Sequence, residues 1–434
     1  MTRPADPVDD SGAGSTSSRD WRWAVWAATA AFGAYFCMYA FRKPFTAASY
    51  NGTELWGLEF KSVLLISQVL GYMLSKMIGV KIVSEMPPRR RAVAMLGLIL
   101  FAEAALVLFG LVPRPWNTLC LFLNGLPLGM VFGLVLGFLE GRRTTELLAA
   151  GLCASFILAD GVAKSVGAGL LEWGVAEDWM PACAGALFLL PFAGFTAMLA
   201  RLPPPNARDV AARSERPPMT AAQRGFLLRR YALGLGPLMA MYLAMTIVRS
   251  VRGDFAPEIW RDLGSPAASS TFTFSESLVA LGVLAVNGAG VLIADNRRAF
   301  FVALATCLLG FALTAIALGA HRVEAISDFN FMVLIGLGLY LPYVAVHTTV
   351  FERLIAMTRE RANIGFLMSV ADSVGYLGYV GVMLARQFLP TTTNALELLT
   401  TVCWASIAVS TVCLLVSWRY FSPLRATQPS DAAT

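Results

Sequence analysis

Charged residues, histidines and paired cysteines are scarce in this chain of 434 residues, and each shortage excludes a class of protein. Only 14% of the residues are charged and 57% are hydrophobic, which excludes an ordinary soluble domain and indicates a polytopic membrane protein. The seven cysteines form no CxxC pair, and His321 and His347 are the only histidines. We therefore expect neither a disulfide framework nor a metal site, and no cofactor.

Motifs for enzymatic chemistry are also missing. The sequence contains no P-loop and no GxSxG motif, so we do not expect an enzyme. Strand-type alternation is absent, which excludes a membrane barrel and leaves α-helices as the spanning element. The polar first twenty residues lack the pattern of a signal peptide.

Twelve apolar segments are long enough to cross a bilayer, since a spanning helix needs about 20 residues. They are expected at residues 23–43, 62–84, 92–112, 118–139, 147–171, 180–200, 231–251, 272–294, 299–319, 330–351, 363–386 and 395–418. Lysine and arginine concentrate before the first segment and in alternate loops, which predicts cytoplasmic termini. The net charge of +6 is then a topology signal, and no nucleic-acid partner is expected.

Similar residues recur in the same order in both halves of the chain, which predicts two parallel repeats. The matches are Tyr35 with Tyr242, Arg42 with Arg249, Arg90 with Arg297, Arg91 with Arg298, Glu140 with Glu352, and Asp160 with Asp372. The fold class expected is an all-α membrane protein with twelve transmembrane helices in two pseudo-symmetric halves. Its parts are a disordered cytoplasmic tail (1–20), a six-helix half (21–200), a cytoplasmic linker (201–230), a second six-helix half (231–420) and a cytoplasmic tail (421–434).

One arginine follows a tyrosine by about two helical turns in each half, so each pair is expected to share a helix face. Guanidinium groups bind phosphate or carboxylate bidentately, and intramembrane charges usually face the bundle interior. We predict that Arg42 and Arg249 bind an anionic substrate, with Tyr35, Tyr39 and Tyr242 as hydroxyl donors. The alternative is that both arginines extend to the membrane interface from the outer helix ends.

Five further charges lie within the predicted helices, and each has two interpretations. Lys76 is either a third cation for the anion or the partner of a buried carboxylate. Asp160 and Lys164 meet on one helical turn, either as an internal ion pair or as a coupling pair. Asp372 and Glu103 either take up a proton, as in a proton symporter, or pair with those lysines.

A cytoplasmic gate is expected where the helices reach the cytoplasm. Glu140 and Glu352 end two of the predicted helices, and Arg90 and Arg298 emerge on the same side. Salt bridges among them would close the gate, and the alternative is that they only set topology. His347 is either an interior histidine or a proton relay.

Four short motifs stand in order along the chain. They are YAFRKPFTAA (Tyr39–Ala48), GYMLSK (Gly71–Lys76), Arg249 followed by DFAP (Asp254–Pro257), and GYLG (Gly375–Gly378). Together with the twelve predicted helices they resemble the organophosphate:phosphate antiporters of the major facilitator superfamily, the glycerol-phosphate and hexose-phosphate transporters. The chain differs from them in the fifth helix, which has Asp160 and Lys164 in place of a histidine, and in the eleventh, which carries Asp372.

The resemblance implies a secondary transporter of the inner membrane that exchanges an organophosphate for phosphate by alternating access. Its partners would be a small anionic solute, the lipid bilayer, and a proton or phosphate as coupling ion, and the protein is expected to be a monomer. Two alternatives stay open: a proton-coupled symporter of a carboxylate or peptide-like solute, and a transporter-like sensor.

Overall fold

The computed structural model describes residues 18–139, 145–203, 221–265, 267–358, 364–386 and 394–423. Most of the two predicted tails and residues 204–220 of the predicted linker lie outside these ranges. The helices are α1 (Ser18–Tyr39), α2 (Phe60–Glu85), α3 (Pro88–Leu111), α4 (Thr118–Leu139), α5 (Thr145–Glu172), α6 (Met180–Ala200), α7 (Ala221–Arg230), α8 (Ala232–Asp254), α9 (Ala256–Asp262), α10 (Ser269–Val291), α11 (Asn296–Arg322), α12 (Asp328–Ala345), α13 (Phe351–Thr358), α14 (Ile364–Ala385) and α15 (Ala395–Phe421). One turn of π-helix, Val346–Val350, joins α12 to α13.

The predicted all-α membrane fold is confirmed. Ten segments of the described residues are helical, long and apolar enough to cross a membrane. With α1 and α14 they overlap all twelve predicted spans. The strands β1 (Glu54–Leu55) and β2 (Leu58–Glu59) form a small hairpin between α1 and α2. The end of the bundle that carries it is called the hairpin end.

Several helices begin where a short polar side chain caps the first turn. The side chains of Asp295, Ser327 and Asn394 accept hydrogen bonds from backbone N–H groups at the starts of α11, α12 and α15. Pro88 stands at the first position of α3, where a missing N–H has no cost. These capping residues define where the helices begin, which hydropathy alone does not.

The first helix ends earlier than predicted, at Tyr39, so the expectation that Arg42 lies on a helix face with Tyr35 is wrong. The Arg42 N–H donates to the Tyr39 carbonyl at 3.0 Å, a three-residue spacing that tightens the last turn. Pro44 follows closely and has no backbone N–H, so it cannot continue the helical hydrogen bonds. The turn from Ala40 to Lys43 thereby directs Arg42 into the bundle.

Helices α2 and α4 pack backbone against backbone because small residues face each other there. A Cβ atom on Gly129 would lie 2.6 Å from the Tyr72 carbonyl oxygen, and one on Gly125 would lie 2.8 Å from the Tyr72 nitrogen. Such approaches are possible only without a side chain, as in other closely packed membrane helices. This contact fixes the face of α2 that carries Tyr72 and Lys76.

The first six long helices meet the last six along two main contacts. Helix α5 packs on α10, and α2 packs on α14. Helix α8 in turn packs on α14 and α15. The buried charged side chains lie among these helices, so the candidate site stands where the two sets of helices face each other.

Candidate functional site

Helix α14 presents polar side chains on successive turns of one face. Asp372, Tyr376 and Tyr379 are spaced by four and three residues, so they lie one above another. All three are buried. Each contacts a charged side chain from another helix, so this face of α14 connects the buried charged groups.

Arg42 and Arg249 converge on Tyr376. The Arg42 guanidinium carbon lies 5.7 Å from the centre of the Tyr376 ring and 3.9 Å from that of Tyr72. Arg249 points its Nη2 at the Tyr376 hydroxyl at 3.4 Å, and its guanidinium carbon lies 4.6 Å from the Tyr343 ring. The two side chains are only 4% and 8% exposed, which does not fit an anchor at the membrane interface. We call Arg42 and Arg249 the arginine pair.

The arginine pair has no carboxylate partner among the described residues. The other fully buried cations, Lys43, Lys61, Lys164 and Arg252, each contact a carboxylate. The Nε atoms of Arg42 and Arg249 are also buried without a hydrogen-bond partner in the described part of the chain. Both guanidiniums are held by aromatic rings, which interact with a cation but do not neutralise it.

Lys76 pairs with Asp372, as one of its two interpretations expected. The Tyr242 hydroxyl donates to Asp372 Oδ1 and lies 3.2 Å from His347 Nε2. His347 Nε2 is itself 3.7 Å from Asp372 Oδ1. The π-helical turn places His347 on this side of the bundle. Three polar groups from three segments thus meet at the Asp372 carboxylate of α14.

The remaining tyrosines predicted to bind substrate line the same region. Tyr39 lies 5.9 Å from the Arg42 guanidinium carbon, measured to its ring centre, and packs edge-on against Tyr35 at 5.6 Å. Tyr35 also packs against Phe132. Tyr39 is therefore next to the arginine pair, and Tyr35 stands behind it.

A second group of buried charges is balanced. Lys43 pairs with Asp254, whose Oδ2 accepts a hydrogen bond from the Tyr379 hydroxyl at 2.8 Å. Asp160 pairs with Lys164 on its own helix and lies 3.7 Å from Lys43 Nζ. Three cations and three carboxylates belong to this ion-pair network, which comprises Lys43, Asp160, Lys164, Arg252, Asp254 and Glu276.

Arg252 and Glu276 complete the network. Arg252 Nη1 lies 2.7 Å from Glu276 Oε1, and its Nη2 donates to the Met332 carbonyl at 2.9 Å. Glu276 also faces Gly161 of α5, where an added Cβ would lie 2.7 Å from the Glu276 Cβ. The network thus joins the turn after α1 and helix α5 to α8 and α10.

Glu103 lies apart from both groups. Its side chain is buried in α3 against Gly185 of α6, and its Oε2 has no hydrogen-bond partner among the described residues. Of the two interpretations of Glu103, pairing with Lys76 or Lys164 does not occur in the described residues, because those lysines pair with Asp372 and Asp160. Proton uptake by Glu103 stays a prediction.

The predicted cytoplasmic gate is only partly described. Glu140 lies outside the described residues. Arg90 and Arg298 are exposed near the starts of α3 and α11, and Glu352 is half-buried in α13. The gate therefore stays a prediction.

Ion pairs join the two sets of helices at the hairpin end. Lys61 Nζ lies 2.5 Å from Glu258 Oε1, and Arg386 Nη1 lies 2.9 Å from Glu59 Oε2. A cavity of about 650 Å³ opens beside these residues. No group of three potential metal ligands occurs in the described ranges.

A family of unknown function (DUF5690) has a sequence model that matches residues 44–423. The chain belongs to this family. No curated protein matches it. The crystal structure of a D-xylose–proton symporter is similar with a TM-score of 0.62 and 12% identity, over 91% of this chain and 96% of that one. A bacterial homologue of the iron transporter ferroportin, in an outward-facing state with soaked iron, gives a TM-score of 0.57 and 17% identity, over 92% and 99%.

At such identities the likeness shows the fold alone, an all-α membrane fold that this chain shares with those two transporters. The motifs that suggested the organophosphate branch also contain residues whose importance the sequence analysis missed. Lys43 stands beside Arg42 and pairs with Asp254, and both belong to those motifs. Tyr376 lies one turn after Asp372, so helical spacing was the signal available for it.

Proposed function

We propose that this family member is a secondary transporter that moves a small organic anion across the membrane by alternating access. The observation that carries the proposal is the arginine pair, two buried guanidiniums that meet at Tyr376 with no carboxylate partner in the described part of the chain. An uncompensated buried charge costs several kcal/mol. A bound anion would offset that cost and would accept hydrogen bonds from the free Nε donors.

The charge of the site favours a substrate with two negative charges. Arg42, Arg249 and Lys76 surround Tyr376, and Asp372 is the one carboxylate beside them in the described residues. Two positive charges remain. A phosphate monoester carries about 1.5 to 2 negative charges at pH 7. An organophosphate exchanged for phosphate is therefore the specific solute class that we propose, in agreement with the four sequence motifs.

The position of the site suits alternating access. Arg42 follows α1 and Arg249 belongs to α8, so the anion would be held between the two sets of six helices. Movement of one set against the other would open the site to either side in turn. We further propose an inner-membrane location with cytoplasmic termini and a monomeric protein, in which the solute is carried without chemical change.

Phosphate exchange in liposomes tests the proposal. The purified protein would be reconstituted with internal phosphate, and uptake of labelled external phosphate would be measured against a panel of organic phosphates as competitors. We expect exchange that Arg42→Lys and Arg249→Lys each reduce by about tenfold to a hundredfold. Lysine keeps the charge but loses the bidentate fork, and charge-assisted hydrogen bonds contribute about 1.5–3 kcal/mol each.

Arg201→Gln is the matched control, because Arg201 is an exposed arginine at the end of α6. This variant should exchange phosphate like the wild type. Wild-type protein that neither exchanges nor binds phosphate would refute the anion site. Phosphate binding without any flux would instead indicate a sensor.

A further inference from the structure

We propose that Asp372 is a proton-binding site whose occupancy follows that of the anion, with Lys76 as the link between them. The inference rests on the proposed function, since it needs an anion at the arginine pair. It adds that each anion crosses the membrane together with one proton.

Polar groups from several segments lie around Asp372, including Tyr343 of α12. Lys76 comes from α2, Tyr242 from α8, His347 from the π-helical turn, and Cys153 from α5. Lys76 is the cation in direct contact with the carboxylate, while Tyr242 and His347 are hydrogen-bonding groups that suit either protonation state. The charge of Asp372 therefore depends on where the Lys76 ammonium lies.

Lys76 and Arg42 surround the same two aromatic rings. The Lys76 Nζ lies 5.3 Å from the ring centre of Tyr72 and 5.9 Å from that of Tyr376. The Arg42 guanidinium carbon lies 3.9 Å and 5.7 Å from those centres. An anion bound to Arg42 is thus within reach of the flexible lysine, whose ammonium has three donors on a four-carbon stem.

The anion and Asp372 compete for this ammonium. When Lys76 turns to the anion, Asp372 remains buried, with its side chain 7% exposed and no other described lysine or arginine in contact. An isolated carboxylate in such a place is strongly disfavoured relative to the neutral acid. One carboxylate oxygen of Asp372 then takes a proton from water and becomes an O–H group. When the anion leaves, Lys76 returns and the proton is released.

Proton uptake on phosphate binding tests the inference. The full-length protein in detergent would be mixed with inorganic phosphate in weakly buffered solution, with bound phosphate and pH-indicator absorbance recorded together. Protonation changes of phosphate itself are common to all variants, so the difference between them is the measured quantity. We expect Asp372→Asn to bind phosphate while taking up about one proton fewer per phosphate than the wild type.

Glu103→Gln is the matched control, since Glu103 is another buried carboxyl but contacts neither the arginine pair nor Lys76. It should take up the same number of protons as the wild type. A second variant, Lys76→Gln, leaves Asp372 neutral before the anion arrives and should also lose this uptake. It serves as the deciding variant if Asp372→Asn fails to fold.

The outcomes separate the two proposals. Equal proton uptake in the wild type and in a folded Asp372→Asn or Lys76→Gln variant would overturn the inference and leave the anion transporter intact. Loss of uptake in Glu103→Gln would also overturn it, because the proton would then bind at α3. A wild-type protein that binds no phosphate would overturn the proposed function.

Discussion

Arg249 and Arg252 lie one turn apart on the same helix, yet they belong to regions with opposite charge balance. Arg252 is part of the ion-pair network and contacts Glu276 at 2.7 Å. Arg249 is part of the arginine pair and contacts Tyr376 and Tyr343, with no carboxylate partner among the described residues. Both side chains are buried. Burial is thus shared, and a carboxylate partner distinguishes Arg252 from Arg249, which we propose to bind the ligand.

The difference shows what each region needs to be stable. The ion-pair network satisfies its charges from within the chain, so it holds helices together with or without a solute. The arginine pair leaves two positive charges buried in the protein, where electrostatic interactions are stronger than in water. In the described residues no carboxylate contacts them, and the proposed anion would compensate them.

The largest effect is expected from breaking the network. Arg252→Met leaves Glu276 buried without its cation, which typically costs about 3–5 kcal/mol. We expect a strongly lowered melting temperature in detergent. The double variant Arg252→Met, Glu276→Leu should recover most of this loss, because the pair is then replaced by apolar side chains. An additive loss in the double variant would show that charge pairing is not the cause.

A smaller effect on stability, and one that depends on phosphate, is expected from a substitution in the arginine pair. Arg249→Met removes an uncompensated charge, so we expect the melting temperature without anion to be unchanged or higher. Phosphate at a hundred times its dissociation constant should stabilise the wild type by about 2.7 kcal/mol. The variant should lose that stabilisation. If Arg249→Met destabilised the protein as much as Arg252→Met, the contrast between the two regions would fail.

The smallest effect is expected at Tyr376. Tyr376→Phe keeps the ring between Arg42 and Arg249 and removes the hydroxyl that Arg249 contacts at 3.4 Å. At 3.4 Å this hydrogen bond from the guanidinium is long, so we expect its loss to cost only about 0.5–1.5 kcal/mol and phosphate to bind roughly two- to tenfold more weakly. Titration of phosphate by calorimetry measures this. A loss of a hundredfold or more would mean that the hydroxyl itself binds the anion.

The helices could be predicted from the sequence because each is a continuous apolar run of about 20 residues. The ion pair of Asp160 and Lys164, which are four residues apart, could be predicted for the same reason. Lys76 and Asp372 are far apart in sequence, so hydropathy and spacing left two interpretations for each. Only the packing of α2 on α14 decides that they pair.

The position of Arg42 was harder to predict for a local reason. Apolar residues continue past Tyr39, so hydropathy extends the helix, while the turn before Pro44 ends it. Lys43 was overlooked as a neighbour of Arg42, although it points to Asp254 and Asp160. Arg42 thus belongs to the arginine pair and Lys43 to the ion-pair network. The backbone turn after α1 points these two neighbouring side chains in different directions.

The glycine contact between α2 and α4 also limits which substitutions this chain can accept. Lipid-facing positions such as Leu190, which is 83% exposed, accept many apolar residues. Gly125 and Gly129 do not, since even a methyl group would meet the backbone of Tyr72. Tyr72 and Lys76 both lie on α2, so a larger residue at either glycine of α4 would push α2 away and displace the Lys76 side chain without contacting it. Substitutions beside the proposed binding residues are therefore not the only ones that would change the proposed site.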